Sequence, residues 1–171
     1  MGEKVIKAAL LGLGTVGTGV YKVLKSQEEE MSAKVGCKVE ITRILVRNIE
    51  KAAAKVKDPS VLTNSWESIL EDPEIEIVIE LIGGINPARE YILQALKAGK
   101  HVVTANKDLI AVHGHELLDA AHAKKVDFLF EAAVAGGIPI IRPLKQCLAV
   151  NHMTEVMGIV NGTTNFILTK M

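Results

Sequence analysis

Aromatic side chains are scarce in this chain, with one Trp, two Tyr and three Phe among 171 residues. Trp66 has no aromatic neighbour in sequence, so it is read as packing rather than as a base-stacking platform. Charge of one sign is not in surplus either. Lys plus Arg number 20 and Asp plus Glu number 20, for a formal net charge of zero, which removes any general pull towards nucleic acid or an anionic membrane. No apolar run is long enough to span a bilayer. The charged start leads straight into a strand-like run, with no apolar h-region and cleavage site of a signal peptide. Cysteine is nearly missing: Cys37 and Cys147 stand far apart, without metal-ligand spacing or a disulfide framework, and read as small apolar fillers. His113 and His115, two apart, fall on different sides of a helix with no cysteine or acidic cluster beside them, so zinc is not expected. Repeats and low-complexity stretches are absent. These absences leave a cytoplasmic protein, 49% hydrophobic, long enough for one well-buried core and short for two complete domains.

Short apolar runs alternate with helical stretches. Val5–Leu11 is apolar apart from Lys7 and reads as a strand buried on both faces. Val16, Val20, Val23 and Leu24 then recur at helical spacing, in a helix expected to run on into Glu28, Glu29 and Glu30. Residues 39–46, 75–82, 101–105 and 127–134 read as further strands. Helices are expected over 65–70, from Pro87 to Ala98 with Gly99 as the stop, and over 108–125. Repeated strand–helix units with apolar strands imply an α/β fold: a doubly wound parallel sheet covered on both faces. After Gly136, Gly137 and Pro139 the character changes. A helix over 142–150, a strand of a different sheet over 154–160 and a helix over 163–171 are expected. The boundary is placed near Ala135, so that 1–135 form a nucleotide-binding domain and 136–171 the beginning of a second, α+β domain that stops early.

Gly12-Leu13-Gly14-Thr15-Val16-Gly17 is a G-x-G-x-x-G between a strand and a helix. The first glycine permits the tight turn, the second leaves room for a pyrophosphate, and the third lets helix and strand pack closely. The helix N-terminus offers free N–H groups and a favourable dipole to phosphates. In this context the motif points to dinucleotide binding. The end of the second strand, Leu45-Val46-Arg47-Asn48, lacks the acid that usually holds a ribose hydroxyl. An arginine there suits the 2′-phosphate of NADP, so NADP is favoured over NAD, although Arg47 could be an ordinary surface residue.

Three other runs could carry chemistry. Thr104-Ala105-Asn106-Lys107 ends a strand at the edge where ligands of such sheets bind. Lys107 could hold a phosphate or exchange a proton with a substrate oxygen; as a base near neutrality, a lysine needs burial or neighbouring cations to depress its pKa. Glu131-Ala132-Ala133-Val134-Ala135-Gly136-Gly137-Ile138-Pro139 has small residues that allow close approach, and carbonyls that could coordinate a hard monovalent cation; an interdomain turn would explain the same composition. Gly158-Ile159-Val160-Asn161-Gly162-Thr163-Thr164-Asn165 clusters polar groups at a strand-to-helix junction. Its threonines could cap the helix or face a substrate.

Together, and in this order, these runs resemble the homoserine dehydrogenase family over nearly the whole chain. The glycine motif is generic; the last two runs are specific to the family. The resemblance implies a Rossmann-type domain and NAD(P)-linked interconversion of L-homoserine and L-aspartate 4-semialdehyde, in the route to threonine, methionine and isoleucine. It implies Lys107 at the reacting centre, and a nucleotide site at Gly12, Leu13, Gly14, Thr15, Val16, Gly17, Arg47, Gly83, Thr104 and Lys107. It implies substrate contacts from Asn161 and Thr163, and a sodium site at Glu131, Val134, Gly136 and Ile138. Family members continue into a substrate domain and form homodimers largely through it, so the chain reads as a fragment, with nucleotide binding but no turnover of its own. Two other readings stay open: a non-catalytic NAD(P)-sensing module, and a related dehydrogenase of another amino acid or sugar.

Overall fold

The computed structural model describes residues 4–158 and 162–171. Six strands form one sheet: β1 (Val5–Leu11), β2 (Lys38–Leu45), β3 (Leu62–Thr63), β4 (Ile75–Glu80), β5 (His101–Thr104) and β6 (Phe128–Leu129). Their order is β3-β2-β1-β4-β5-β6, and every adjacent pair is parallel. The chain therefore winds outwards from β1 to one edge, returns to β1, and winds out to the other edge through β4. The gap between β1 and β4 is the topological switch point, where open sheets of this kind bind ligands.

Period-two alternation explains how β1 serves two cores. Ala9 and Leu11 face a core with residues of α5 (Ala88–Lys97) and α6 (Lys107–Lys124), among them Ile92, Leu96, Leu109 and Leu117. Ala8 and Leu10 face the other, against Tyr21 of α1 (Thr15–Ser26) and Ala52 of α3 (Ile49–Ala53). Leu10, Leu11, Ile92 and Leu96 are fully buried, and burial of each such side chain contributes roughly 1.5–3 kcal/mol. The doubly wound parallel sheet expected from the sequence is what the chain adopts.

Local differences have local causes. The helix after the glycine loop does not run through the glutamates. It stops at Gln27, and α2 (Glu28–Val35) begins with Glu28, Glu29 and Glu30 in its first turn, where negative charge is favoured by the helix dipole. The strand expected over 127–134 is only Phe128–Leu129, since β5 offers it just Val102 and Val103 as partners. The chain then tightens into a 3₁₀ turn, Glu131–Ala133. In place of a regular helix over 142–150 there is a wide turn, Pro143–Cys147, closed by the Leu148 amide on the Pro143 carbonyl. Residues 154–158 form no strand and have no partner strand among the described residues; 159 and 160 lie outside them. A short α4 (Glu67–Leu70) precedes β4, and α7 (Gly162–Lys170) ends the chain.

Candidate functional site

The glycine loop crosses the C-terminal edge of β1, and its three glycines have three different surroundings. Gly12 has φ +95°, and a Cβ on it would meet the Leu81 carbonyl oxygen at 3.0 Å. A Cβ on Gly17 would stand 2.1 Å from the Gly12 carbonyl oxygen, so α1 can lie this close to the strand only with hydrogen there. Around Gly14, by contrast, a Cβ would meet nothing within 4 Å. Gly14 is the N-cap of α1 and no side chain caps the helix, so the first-turn amides are presented to the space in front of it. Thr15 and Val16 occupy that first turn and are exposed.

A cleft of about 570 Å³ opens beside this loop. Gly12, Leu13 and Gly14 form one wall, and Leu81 and Ile82 after β4 another. Arg47 and Asn48 after β2, Lys51, Lys55, Asn64, Pro87 and Tyr91 also line it. Three cations and no carboxylate line this cleft. The Lys55 ammonium donates to the Leu13 carbonyl at 2.8 Å, tying the cationic end to the glycine loop. Tyr91 is backed by Trp66, whose ring stacks on it at 4.6 Å; Trp66 is indeed a packing residue. Lys51, Lys55 and Tyr91 were not singled out in the sequence. The i, i+4 spacing of the two lysines just after Arg47 is a signal that could have found them.

At the other end of the site, the loops after β4 and β5 are tied together by a buried carboxylate. Glu80 is fully buried. Its Oε1 accepts the amides of Ile82 (2.7 Å) and Gly83 (3.2 Å), and its Oε2 accepts the Thr104 hydroxyl (2.6 Å). Thr104 Oγ1 in turn accepts the Asn106 amide at 3.0 Å. The Asn106 side chain donates to the Gly84 carbonyl at 2.6 Å and caps α6 by accepting the Leu109 amide at 3.2 Å. Lys107 is the first residue of α6 and is exposed. The Thr104 hydroxyl is directed into this network and the residue as a whole is buried, so, against the expectation from the sequence, it presents almost no surface to a ligand. Glu80 is one of two glutamates in β4, with Glu76, and nothing in the sequence set it apart.

The residues expected to hold a cation follow β6. The Glu131 carboxylate accepts the amides of Ile140 (2.6 Å), Ile141 (2.9 Å) and Arg142 (2.8 Å). The Ile140 amide, helped by those of Arg142 and Ile141, holds its carboxyl below the usual glutamate range against the opposing effect of burial. Ala135 and Gly136 are both left-handed, with φ 56° and 61°, and reverse the chain between Val134 and Ile138. Asn161 lies outside the described residues. Thr163 is in the first turn of α7, with its side chain likewise outside them.

A 3-2-1-4-5-6 parallel sheet, a glycine loop at its switch point and an uncapped helix N-terminus beside a long cleft define a nicotinamide-dinucleotide-binding domain of the dehydrogenase class. Residues 12–131 match the family model of the homoserine dehydrogenase NAD-binding domain, and residues 139–171 that of homoserine dehydrogenase itself. The chain belongs to the homoserine dehydrogenase family. It is 49% identical over 168 residues to homoserine dehydrogenase of Bacillus subtilis, covering 98% of this chain and 39% of that protein. With the Corynebacterium glutamicum enzyme it shares 50% over 163 residues, 95% of this chain and 36% of that one. A crystal structure of a homoserine dehydrogenase from Thiobacillus denitrificans superposes with a TM-score of 0.91 at 50% identity, over 99% of this chain and 39% of that chain. The chain thus spans well under half the length of these relatives. No helix among the described residues is long and apolar enough to cross a membrane.

Proposed function

We propose that this chain is the cofactor-binding part of an oxidoreductase that interconverts L-homoserine and L-aspartate 4-semialdehyde with NAD(P)H. The carrying observation is that the open glycine loop and Lys107 lie on the same edge of the sheet, on either side of the switch point. Gly12, Leu13 and Gly14 receive the pyrophosphate, with the α1 amides behind them. Gly83 borders the nicotinamide end, with Thr104 buried behind it. A bound nicotinamide would supply hydride exchange at the substrate carbon bearing the oxygen. Lys107 holds or moves the proton at that substrate oxygen, and Asn161 and Thr163 contribute to holding the substrate.

NADP is preferred over NAD in this reading. Arg47, Lys51 and Lys55 line the cleft with no carboxylate among its walls, an arrangement that suits an additional phosphate and offers no acid to a ribose diol. A monovalent cation, sodium, belongs to the same reading. Glu131, Val134, Gly136 and Ile138 would hold it chiefly through carbonyl oxygens, because three amides already occupy the Glu131 carboxylate; hard cations take oxygen ligands of this kind. The domain boundary near Ala135 is supported by the two family matches, which leave 132–138 between them. A homodimer in the cytoplasm completes the proposal.

Turnover of homoserine by the full-length protein, with NADP and NAD compared, is the test. Homoserine-dependent NADPH formation supports the reading. Tight NADPH binding without turnover of homoserine would replace it with a sensing module, and turnover of a different amino acid or sugar with a related dehydrogenase.

A further inference from the structure

Glu80 is a carboxylate withdrawn from water at the end of β4, and the donors recorded on it are all neutral: two backbone amides and one hydroxyl. Burying a carboxyl group costs desolvation that an apolar side chain in the same place would not. The gain is geometric. From Glu80 the hydrogen bonds run to Gly83, along the chain to Gly84, across to the Asn106 amide group, back to Thr104 and so to Glu80 again. This closed ring spans the loops after two neighbouring strands. Gly83 and Gly84 both have left-handed backbones, with φ 79° and 72°, a shape that the Glu80 Oε1 bonds hold from inside the turn. Asn106 is both a member of the ring and the cap of α6, and Lys107 follows it directly.

We propose that Glu80 is a positioning residue for the reaction: through Thr104 and Asn106 it fixes the start of α6, and with it Lys107, against the 82–84 loop at the nicotinamide end of the cleft. The inference rests on the reading above, in which Lys107 acts at the substrate oxygen. Glu80 itself touches neither substrate nor cofactor. Its two carboxyl oxygens accept from three donors at once; a glutamine can keep the two amides on its oxygen but turns its NH2 towards Thr104, which leaves the hydroxyl proton without this acceptor.

The experiment uses the full-length protein with homoserine and NADP. Glu80→Gln and Thr104→Val are expected to lower kcat tenfold or more, with the Kd for NADPH changed less than threefold and the melting temperature close to that of the parent. Thr104→Ser, which keeps the hydroxyl, should recover most of the rate lost in Thr104→Val. The double variant Glu80→Gln/Thr104→Val should be no slower than the slower single variant, because both act on the same Glu80–Thr104 link. If Glu80→Gln fails to fold, the Thr104→Val and Thr104→Ser pair carries the test alone. Rates within twofold of the parent in Glu80→Gln and Thr104→Val, an equal loss in Thr104→Ser, or losses that simply follow nucleotide affinity and melting would overturn the proposal. Lys107→Ala separates the two levels. Parental turnover in Lys107→Ala sinks the underlying reading, whereas a slow Lys107→Ala beside unimpaired ring variants sinks the positioning role only.

Discussion

Gly17 and Gly12 are so close that any side chain on the first would run into the backbone of the second, with only 2.1 Å from an added Cβ to the carbonyl oxygen. Gly14, two residues from Gly12, faces open space. Gly17→Ala should therefore be a stability variant, costing on the order of 1–3 kcal/mol or more from overpacking, seen as a lowered melting temperature without any ligand. Gly14→Ala should fold normally and lose nucleotide affinity, since its Cβ stands where the pyrophosphate approaches. Comparing thermal melts with NADPH titrations checks both; normal melting in Gly17→Ala would contradict the packing argument.

Arg47→Ala should weaken NADPH more than NADH. A charge-assisted contact of this type is worth roughly 1.5–3 kcal/mol, about one to two decades in affinity. Parallel titrations with the two nucleotides measure it, and an equal loss for both would show that Arg47 does not read the 2′-phosphate.

In the full-length protein, Lys107→Ala should lower kcat by about a hundredfold, as loss of a proton-transfer group does, with a smaller effect on nucleotide affinity. Steady-state homoserine oxidation gives kcat, and an unchanged value would leave Lys107 a phosphate contact or a surface residue.

Glu131 gives a pH dependence whose sign follows from its depressed pKa. A carboxyl held below its unfolded value stabilises the fold above the ordinary glutamate range, and that contribution is lost as the pH falls through the lower, folded value. Amide-exchange protection at 140–142 should be full at neutral pH and decay on acidification before the β1–β4 core opens. Glu131→Gln should remove most of it at neutral pH. Protection at 140–142 that follows the core at every pH would argue against the carboxylate as its source.

The parts of the fold set by apolar periodicity were legible: β1, α1, α5, α6 and the glycine turn follow from patterns in the sequence, whereas the short α3 beside Ala8 and Leu10 was not expected. Segments whose form depends on partners were not. Whether 127–134 is a long strand depends on how much of β5 is available to pair, and four residues of His101–Thr104 allow little. The helix break at Gln27 is a competition between two acceptable helices, which periodicity alone does not resolve. At the site, the glycines and Arg47 were readable because motif and position coincide. Glu80 was not, since its partners are amides and a hydroxyl that only the folded sheet brings together. The Lys55 contact with Leu13, 42 residues away, is likewise made only by the fold.

The two outermost strands, Leu62–Thr63 and Phe128–Leu129, are also the two shortest. An unpaired strand edge attracts a strand from another molecule only when it offers a run of free amides and carbonyls. Two residues on each flank give such a run almost no length. These two edges of the described sheet therefore give copies of this domain little means of joining sheet to sheet into a continuous ribbon.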